Sequence, residues 1–321
     1  MKLFIKKFVL FILPLAVLVL YLEVNLAGIP NSYNLKKENF EKQLSDIELL
    51  VVGSSHAYFG IDPALFSCKA YNMANVSQSF SYDARILEKY LPEMKRLKVV
   101  LVIVSYFSFG GQLADGPEYW RCYFYDRYFN IPPDEKGQST FLDLRKYSLI
   151  ALYGGKDSFK YLLKGFKVNL ADHLQPNGWY ASTIPLGPIN DEAGKKRVQI
   201  LHATTSVDNY DRNFKRLDDL FSLLRRRGIE PVIITTPVYH TCYDNLDPAR
   251  IRKMEELIQS LCTRYQVHYF NYLTDKRFVI EDYADNDHLN AQGAEKFSKI
   301  LDKDILGNRP GRILSNKPSM N

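Results

Sequence analysis

The run Val99-Val100-Leu101-Val102-Ile103-Val104 constrains the fold more than any other stretch of the chain. Successive residues of a strand point to opposite faces, so a strand that is apolar at every position must be covered on both sides. Such a run reads as a central parallel strand buried under helices. Amphipathic helical patterns lie on either side of it in sequence. Residues 83–94 place Ile86, Leu87, Tyr90, Leu91 and Met94 on one face; residues 210–227 carry a stripe of Phe214, Leu217, Leu220, Phe221 and Leu224 that Gly228 ends. Further strands are expected at 48–52, 70–74, 231–237 and 267–270, and further helices at 37–43, 250–262 and 291–305. The alternation predicts an α/β protein with a doubly wound sheet.

The N-terminus sets the expected compartment. Lys2, Lys6 and Lys7 precede an apolar run from Phe8 to Leu22, which Pro14 interrupts and Glu23 ends. Positive flank plus apolar run is the export pattern, with the lysines left in the cytoplasm. The run is short against the roughly 17–25 residues of a spanning helix, and Asn25-Leu26-Ala27 is a poor cleavage site. Residues 1–29 are read as an uncleaved signal anchor, with a cleaved signal peptide or a buried N-terminal helix as alternatives. The anchor reading implies a single pass of a bacterial-type inner membrane, with the body on the periplasmic or extracellular side.

Composition narrows the classes. At 46% hydrophobic and 24% charged residues the chain of 321 residues reads as globular, with one good core or two modest ones. The net charge of +6 is spread out. Its two short basic runs, Lys195-Lys196-Arg197 and Arg225-Arg226-Arg227, read as solvated helix ends or loops, so no nucleic-acid partner is expected. The 22 Tyr and 19 Phe suit carbohydrate stacking, and core packing accounts for most of them equally well. Cys68, Cys122, Cys242 and Cys262 lack metal-ligand spacing; one or two disulfides and four buried thiols both fit.

The winding stops between residues 106 and 206, a stretch rich in Tyr, Trp, Gly and Pro. It is read as an insertion, 107–206, within a body spanning 30–306, with small helices near 142–153 and 158–163. It either caps the catalytic edge or serves packing or oligomer contact. The polar tail, 307–321, is read as loose.

Two polar blocks carry the chemistry. Gly53-Ser54-Ser55-His56 follows the first strand, at the C-terminal sheet edge where ligands of open α/β folds bind. Asp285-Asn286-Asp287-His288 precedes the last helix. A serine hydroxyl needs a base to take its proton and a third group to orient that base. Ser55, His288 and Asp285 supply those types, with Asp287 as a competing orienting acid. Thr235 and Thr236 are expected to line the same edge. A metal site from His56, Asp285, Asp287 and His288 matches no familiar ligand spacing, so neither metal nor other cofactor is expected.

In these blocks and their order the chain resembles the SGNH, or GDSL-like, hydrolase superfamily, over most of residues 46–106 and 208–305. The layout is similar to membrane-anchored cell-envelope members of the O-acyltransferase and D-alanyl-transfer type. The resemblance implies a three-layer α/β/α sandwich on a mainly parallel, flavodoxin-like sheet, with Ser55, His288 and Asp285 as catalytic residues. It further implies an exported serine esterase or O-acyltransferase acting on acyl, above all acetyl, esters of envelope glycans. A membrane-bound O-acyltransferase is the implied partner; a catalytically weak or inactive partner protein of the same fold is the alternative. Two departures stand out. The superfamily's second block offers a Gly and its third an Asn to the oxyanion hole, whereas Asn72–Ser77 here holds no Gly and Ser105–Ser108 no Asn. Loss of one such donor costs about 2.7–4 kcal/mol of barrier. Asn75 and the Ser77 amide are candidate substitutes, with Ser54, His56 and Ser105 as further oxyanion or substrate contacts.

Overall fold

The computed structural model describes residues 1–133 and 141–307, and the expected polar tail falls almost wholly outside them. Two compact units divide the chain: Met1–Leu35 with Tyr119–Asp172, and Lys36–Glu118 with His173–Asn321. The division cuts across the expected insertion, because residues 107–118 and 173–206 group with the sheet and only the middle groups with the N-terminus.

In the first unit the helix Lys2–Ala27 runs for 26 residues, with a mean hydropathy of 2.5 over its most apolar window and none of that window buried. At 1.5 Å per residue it reaches about 39 Å, beyond the roughly 30 Å of a bilayer's hydrocarbon core. It is therefore long and apolar enough to cross a membrane. Toward its end, Glu23 accepts hydrogen bonds from the amides of Leu149 (2.8 Å) and Ile150 (3.2 Å), at the start of the helix Leu149–Tyr153. A carboxylate there answers both the orphan amides and the positive helix end. Further helices lie at Cys122–Phe129 and Gly155–Leu163. Aromatic packing joins Phe124 to Tyr33, Tyr128 and Tyr153, and Asn31 Nδ2 donates to the hydroxyls of Tyr128 and Tyr153, each at 3.1 Å.

The second unit holds, among the described residues, a five-stranded sheet: β1 (Leu49–Val52), β2 (Ala70–Asn72), β3 (Val99–Ile103), β4 (Glu230–Thr235) and β5 (Tyr269–Asn271). All pairings are parallel, in the order β2-β1-β3-β4-β5, with Val51 opposite Asn72 and Leu101. This is the flavodoxin-like order, in which the chain leaves β1 and β3 toward opposite edges. The crevice between their C-terminal ends is where such a sheet binds ligands. Both faces are covered. Leu49, Val51, Val99, Leu101, Ile103, Val232 and Ile234 share one core with the helices Ser55–Gly60 and Ala291–Leu301. The alternate residues Leu50, Val52, Val100, Val102 and Ile233 are equally buried, and on β4 the helix Tyr210–Arg226 packs, itself against Phe80–Tyr90. The three-layer expectation holds.

Boundaries shift by a few residues: the helices expected at 83–94 and 250–262 run Phe80–Tyr90 and Pro248–Tyr265, and that expected at 37–43 runs Ser32–Glu41. The helices missed outright include Asp191–Ala203 and Cys122–Phe129, both within the expected insertion, and the short Ser55–Gly60. All four cysteines are free thiols; burial pushes that of Cys68 up to about 11.

Candidate active site

The strand β1 ends because Gly53 turns it. Gly53 has φ +141°, and a Cβ there would lie 2.9 Å from that of Ile103, so both the backbone region and the contact with β3 require glycine. Ser55 then opens a helix whose first amides have no intrahelical acceptor. The second block is fixed by its own first residue. Asp285 Oδ1 accepts from the amides of Asp287 (2.9 Å) and His288 (2.8 Å), folding the loop back on itself. Asn290 then caps the last helix through the Gly293 amide at 3.0 Å.

These two blocks meet. His288 Nε2 lies 2.8 Å from Ser55 Oγ, and His288 Nδ1 lies 2.9 and 3.0 Å from the Asp285 oxygens. A carboxylate only accepts, so Nδ1 carries the proton and Nε2 is left to accept from the Ser55 hydroxyl. Asp287 Oδ1 is farther from Nδ1, at 3.4 Å. It flanks the ring rather than orienting it.

His56 turns away from its neighbour Ser55. Its Nδ1 meets Ser105 Oγ at 2.6 Å and its Nε2 meets Asp287 Oδ2 at 3.2 Å. Asp287 in turn accepts from Arg197 Nε, at 3.0 and 2.8 Å on its two oxygens. Burial would raise the Asp287 pKa, but the charges of His288 and Arg197 and the His56 hydrogen bond outweigh it and hold it well below the usual carboxylate value. For His288, burial is outweighed by the Asp287 charge and the Asp285 hydrogen bond, so its pKa is raised; for His56, burial wins and it is lowered. His56, Asp287 and His288 cluster closely enough to be tested as metal ligands. The fit is poor: the Arg197 guanidinium already holds Asp287, and both nitrogens of His288 are engaged.

A cavity of about 390 Å³ opens beside Ser55, lined by Ser54, Ser77, Gln78, Asp83, Phe107, Arg197 and Leu201 among others. Ser77, a candidate substitute for the missing glycine, lines this cavity. It adopts φ +58°, the left-handed conformation a glycine would take, and its hydroxyl donates to Glu118. Asn75 is buried but spends Oδ1 on the Val76 amide (2.9 Å) and does not line the cavity. Among the described residues, Ser54 Oγ is buried without a hydrogen-bond partner. Ser105, Thr235 and Thr236 lie instead around a second, nearly filled space of about 10 Å³ behind His56. The sequence reading missed Asp83, Lys36 and Arg197. Asp83 lies on the cavity wall, and burial raises its pKa to about 7 against hydrogen bonds from Gln78 and the Gly53 amide. Buried Lys36 donates to the carbonyls of Asn72 (2.9 Å) and Ala74, holding the end of β2.

In sheet order and in these two site blocks, the chain resembles the SGNH, or GDSL-like, hydrolases. Neither a protein-family model nor a curated protein sequence matches the chain. Among solved structures it is similar to a candidate acylhydrolase of Bacteroides fragilis, at 9% identity and TM-score 0.41 over 85% of this chain and 94% of the other. A GDSL-like lipase of Bacteroides thetaiotaomicron is similar at 9% identity and TM-score 0.40, over 87% and 100%. A carbohydrate acetylesterase family member of Sinorhizobium meliloti is similar at 10% identity and TM-score 0.31, over 84% and 99%.

Proposed function

We propose that the chain is a membrane-tethered, SGNH-type serine ester hydrolase or O-acyltransferase. The hydrogen-bonded line Ser55 Oγ–His288 Nε2, His288 Nδ1–Asp285 is the observation that carries this reading. In it, Ser55 attacks the acyl carbonyl while His288 takes the hydroxyl proton, and Asp285 holds the ring in the receptive tautomer and balances the imidazolium. The first-turn amide of Ser55 and the Ser77 amide are the candidate donors to the oxyanion. His288 then returns its proton to the leaving alcohol. Water or a sugar hydroxyl, deprotonated by the same ring, takes the acyl group from Ser55. Hydrolysis and transfer thus share every residue. The anchor-like helix Lys2–Ala27 supports an envelope location, and acyl esters of envelope glycans are the substrate class we assign, with a membrane-bound O-acyltransferase as the partner for the transfer variant.

The test is covalent labelling of the detergent-solubilised full chain with a fluorophosphonate. Wild type is expected to label, and Ser55→Ala to lose the label while keeping its circular dichroism spectrum. A folded wild type that does not label would sink the catalytic reading in favour of a binding partner that keeps the fold.

A further inference from the structure

The helix Asp191–Ala203 reaches the site because Gly194 lets it. A Cβ on Gly194 would lie 2.1 Å from the Thr241 carbonyl oxygen, so only a glycine allows this approach. One turn on, the Arg197 side chain is held from behind and open in front. Its Nε bonds both oxygens of Asp287, whose Oδ2 also meets His56. Among the described residues, no protein acceptor bonds its Nη1 or Nη2. Arg197 lines the same cavity as Ser55, and it is the only cationic side chain among the described residues that do so. A guanidinium is planar, permanently charged and shaped to grip a carboxylate or phosphate with two parallel hydrogen bonds. Anchored at Nε, it is already oriented, so little side-chain freedom is lost when an anion binds. The Asp287 carboxylate neutralises the charge behind without covering the donors in front.

We propose that the cavity contains an anion subsite built on Arg197, which recognises a carboxylate or phosphate carried by the ester substrate. The subsite rests on the reading of this cavity as the acyl-ester site, but binding of an anion there can be measured without turnover. The two acids on the wall are themselves engaged: Asp83 is hydrogen-bonded by Gln78 Nε2 at 2.6 Å, and Glu118 accepts from Ser77. Arg197 is then a specificity-determining residue. It selects anionic esters over neutral ones of equal size.

The experiment titrates inorganic phosphate and, separately, succinate into the full chain in detergent at fixed ionic strength, by calorimetry. It repeats this with Arg197→Gln and Arg197→Lys. Binding of at least one anion is expected, weakened roughly tenfold to a hundredfold in Arg197→Gln, with Arg197→Lys between the two. Whichever anion binds tighter names the substrate group. The bound anion should also slow fluorophosphonate labelling of Ser55 in the wild type. In turnover, mono-p-nitrophenyl succinate should be preferred over p-nitrophenyl butyrate, with the preference lost in Arg197→Gln. Absence of binding by both anions, or binding that Arg197→Gln leaves unchanged, overturns the subsite. Binding without any labelling or turnover overturns the catalytic reading and leaves the subsite standing.

Discussion

Replacing Asp83 by Asn should make the protein more stable at pH 8 than the wild type, and no more stable at pH 4. Asp83 is 1% exposed, and one of its oxygens has no hydrogen-bond partner among the described residues. Folding takes this carboxyl from its ordinary value of 3.8 up to about 7, burial being the main cause and the Gln78 and Gly53 hydrogen bonds opposing it. Below pH 3.8 the group is protonated in both states and contributes nothing to the pH dependence. Between the two values the folded chain binds the proton that the unfolded chain has lost, so stability falls as pH rises. At 1.36 kcal/mol for each tenfold change in proton activity, the full loss is of order 4 kcal/mol above pH 7. Asparagine keeps the acceptor facing Gln78 and removes the charge. The stability difference between Asp83→Asn and wild type should therefore climb between pH 4 and 7 and flatten above. Urea unfolding of the full chain in detergent, followed by tryptophan fluorescence from pH 4 to 8, reads this directly. A difference that stays flat across the range would refute the reasoning, because Asp83 would then ionise as an exposed carboxyl does.

The charge on Asp287 raises the His288 pKa, and only neutral His288 can act as base. Asp287→Asn should move the acid limb of kcat/KM to lower pH; a limb that stays in place would remove Asp287 from the tuning of the base. The raised His288 pKa also means that its protonated form stabilises the fold fully below about pH 6.5, a contribution lost as pH climbs through the folded value. Gly194→Ala puts a methyl 2.1 Å from the Thr241 carbonyl oxygen. Against the gain of about 1 kcal/mol in helix propensity, the clash should win by roughly 1–3 kcal/mol, lowering the melting temperature and weakening anion binding at Arg197. A higher melting temperature would mean that this helix packs less closely than the structure shows.

The central strands were legible because burial on both faces leaves an unbroken apolar run, as at Val99–Ile103. Ser55, Asp285 and His288 were legible as residue types at the right spacing, and their approach follows from the packing of the helix Ala291–Leu301 on the helix Ser55–Gly60, which carries the loop after β5 back to the end of β1. The helix Asp191–Ala203 was hidden for a physical reason. Its buried face is only Gly194, Val198 and Leu201, too small for a strong apolar stripe. The signal that would have found it is the Asn190 cap followed by Asp191 and Glu192 in the first turn. Lys195-Lys196-Arg197 was read as a solvated helix end or loop, whereas Arg197 turns inward to Asp287. Ser77 was named as a candidate donor, but its backbone conformation was hidden. A left-handed serine leaves no mark in sequence, where only a glycine would have announced the turn. Buried Lys36 was equally illegible, since its acceptors are backbone carbonyls of a distant strand end.

The site contains two serine–histidine–aspartate lines, Ser55–His288–Asp285 and Ser105–His56–Asp287, and the physics separates them. In the second, Asp287 can only accept, so the neutral His56 ring carries its proton on Nε2 and accepts the Ser105 hydroxyl at Nδ1. The connectivity therefore copies the first line, through the opposite ring nitrogen. Access decides between the two serines. Ser55 opens on the cavity of about 390 Å³, whereas Ser105 is 1% exposed and adjoins a space of about 10 Å³, too small for an acyl group. Charge decides between the two rings. They lie 5.0 Å apart, so a proton on one opposes a proton on the other. Burial, reinforced by His288 and Arg197, holds His56 below the usual histidine value despite Asp287. In the proposed mechanism, a neutral His56 leaves the Asp287 field to support the imidazolium that forms on His288 when Ser55 attacks. In that mechanism Ser105 and His56 act as positioning residues, whose hydrogen bonds keep Asp287 aimed between the base and the arginine.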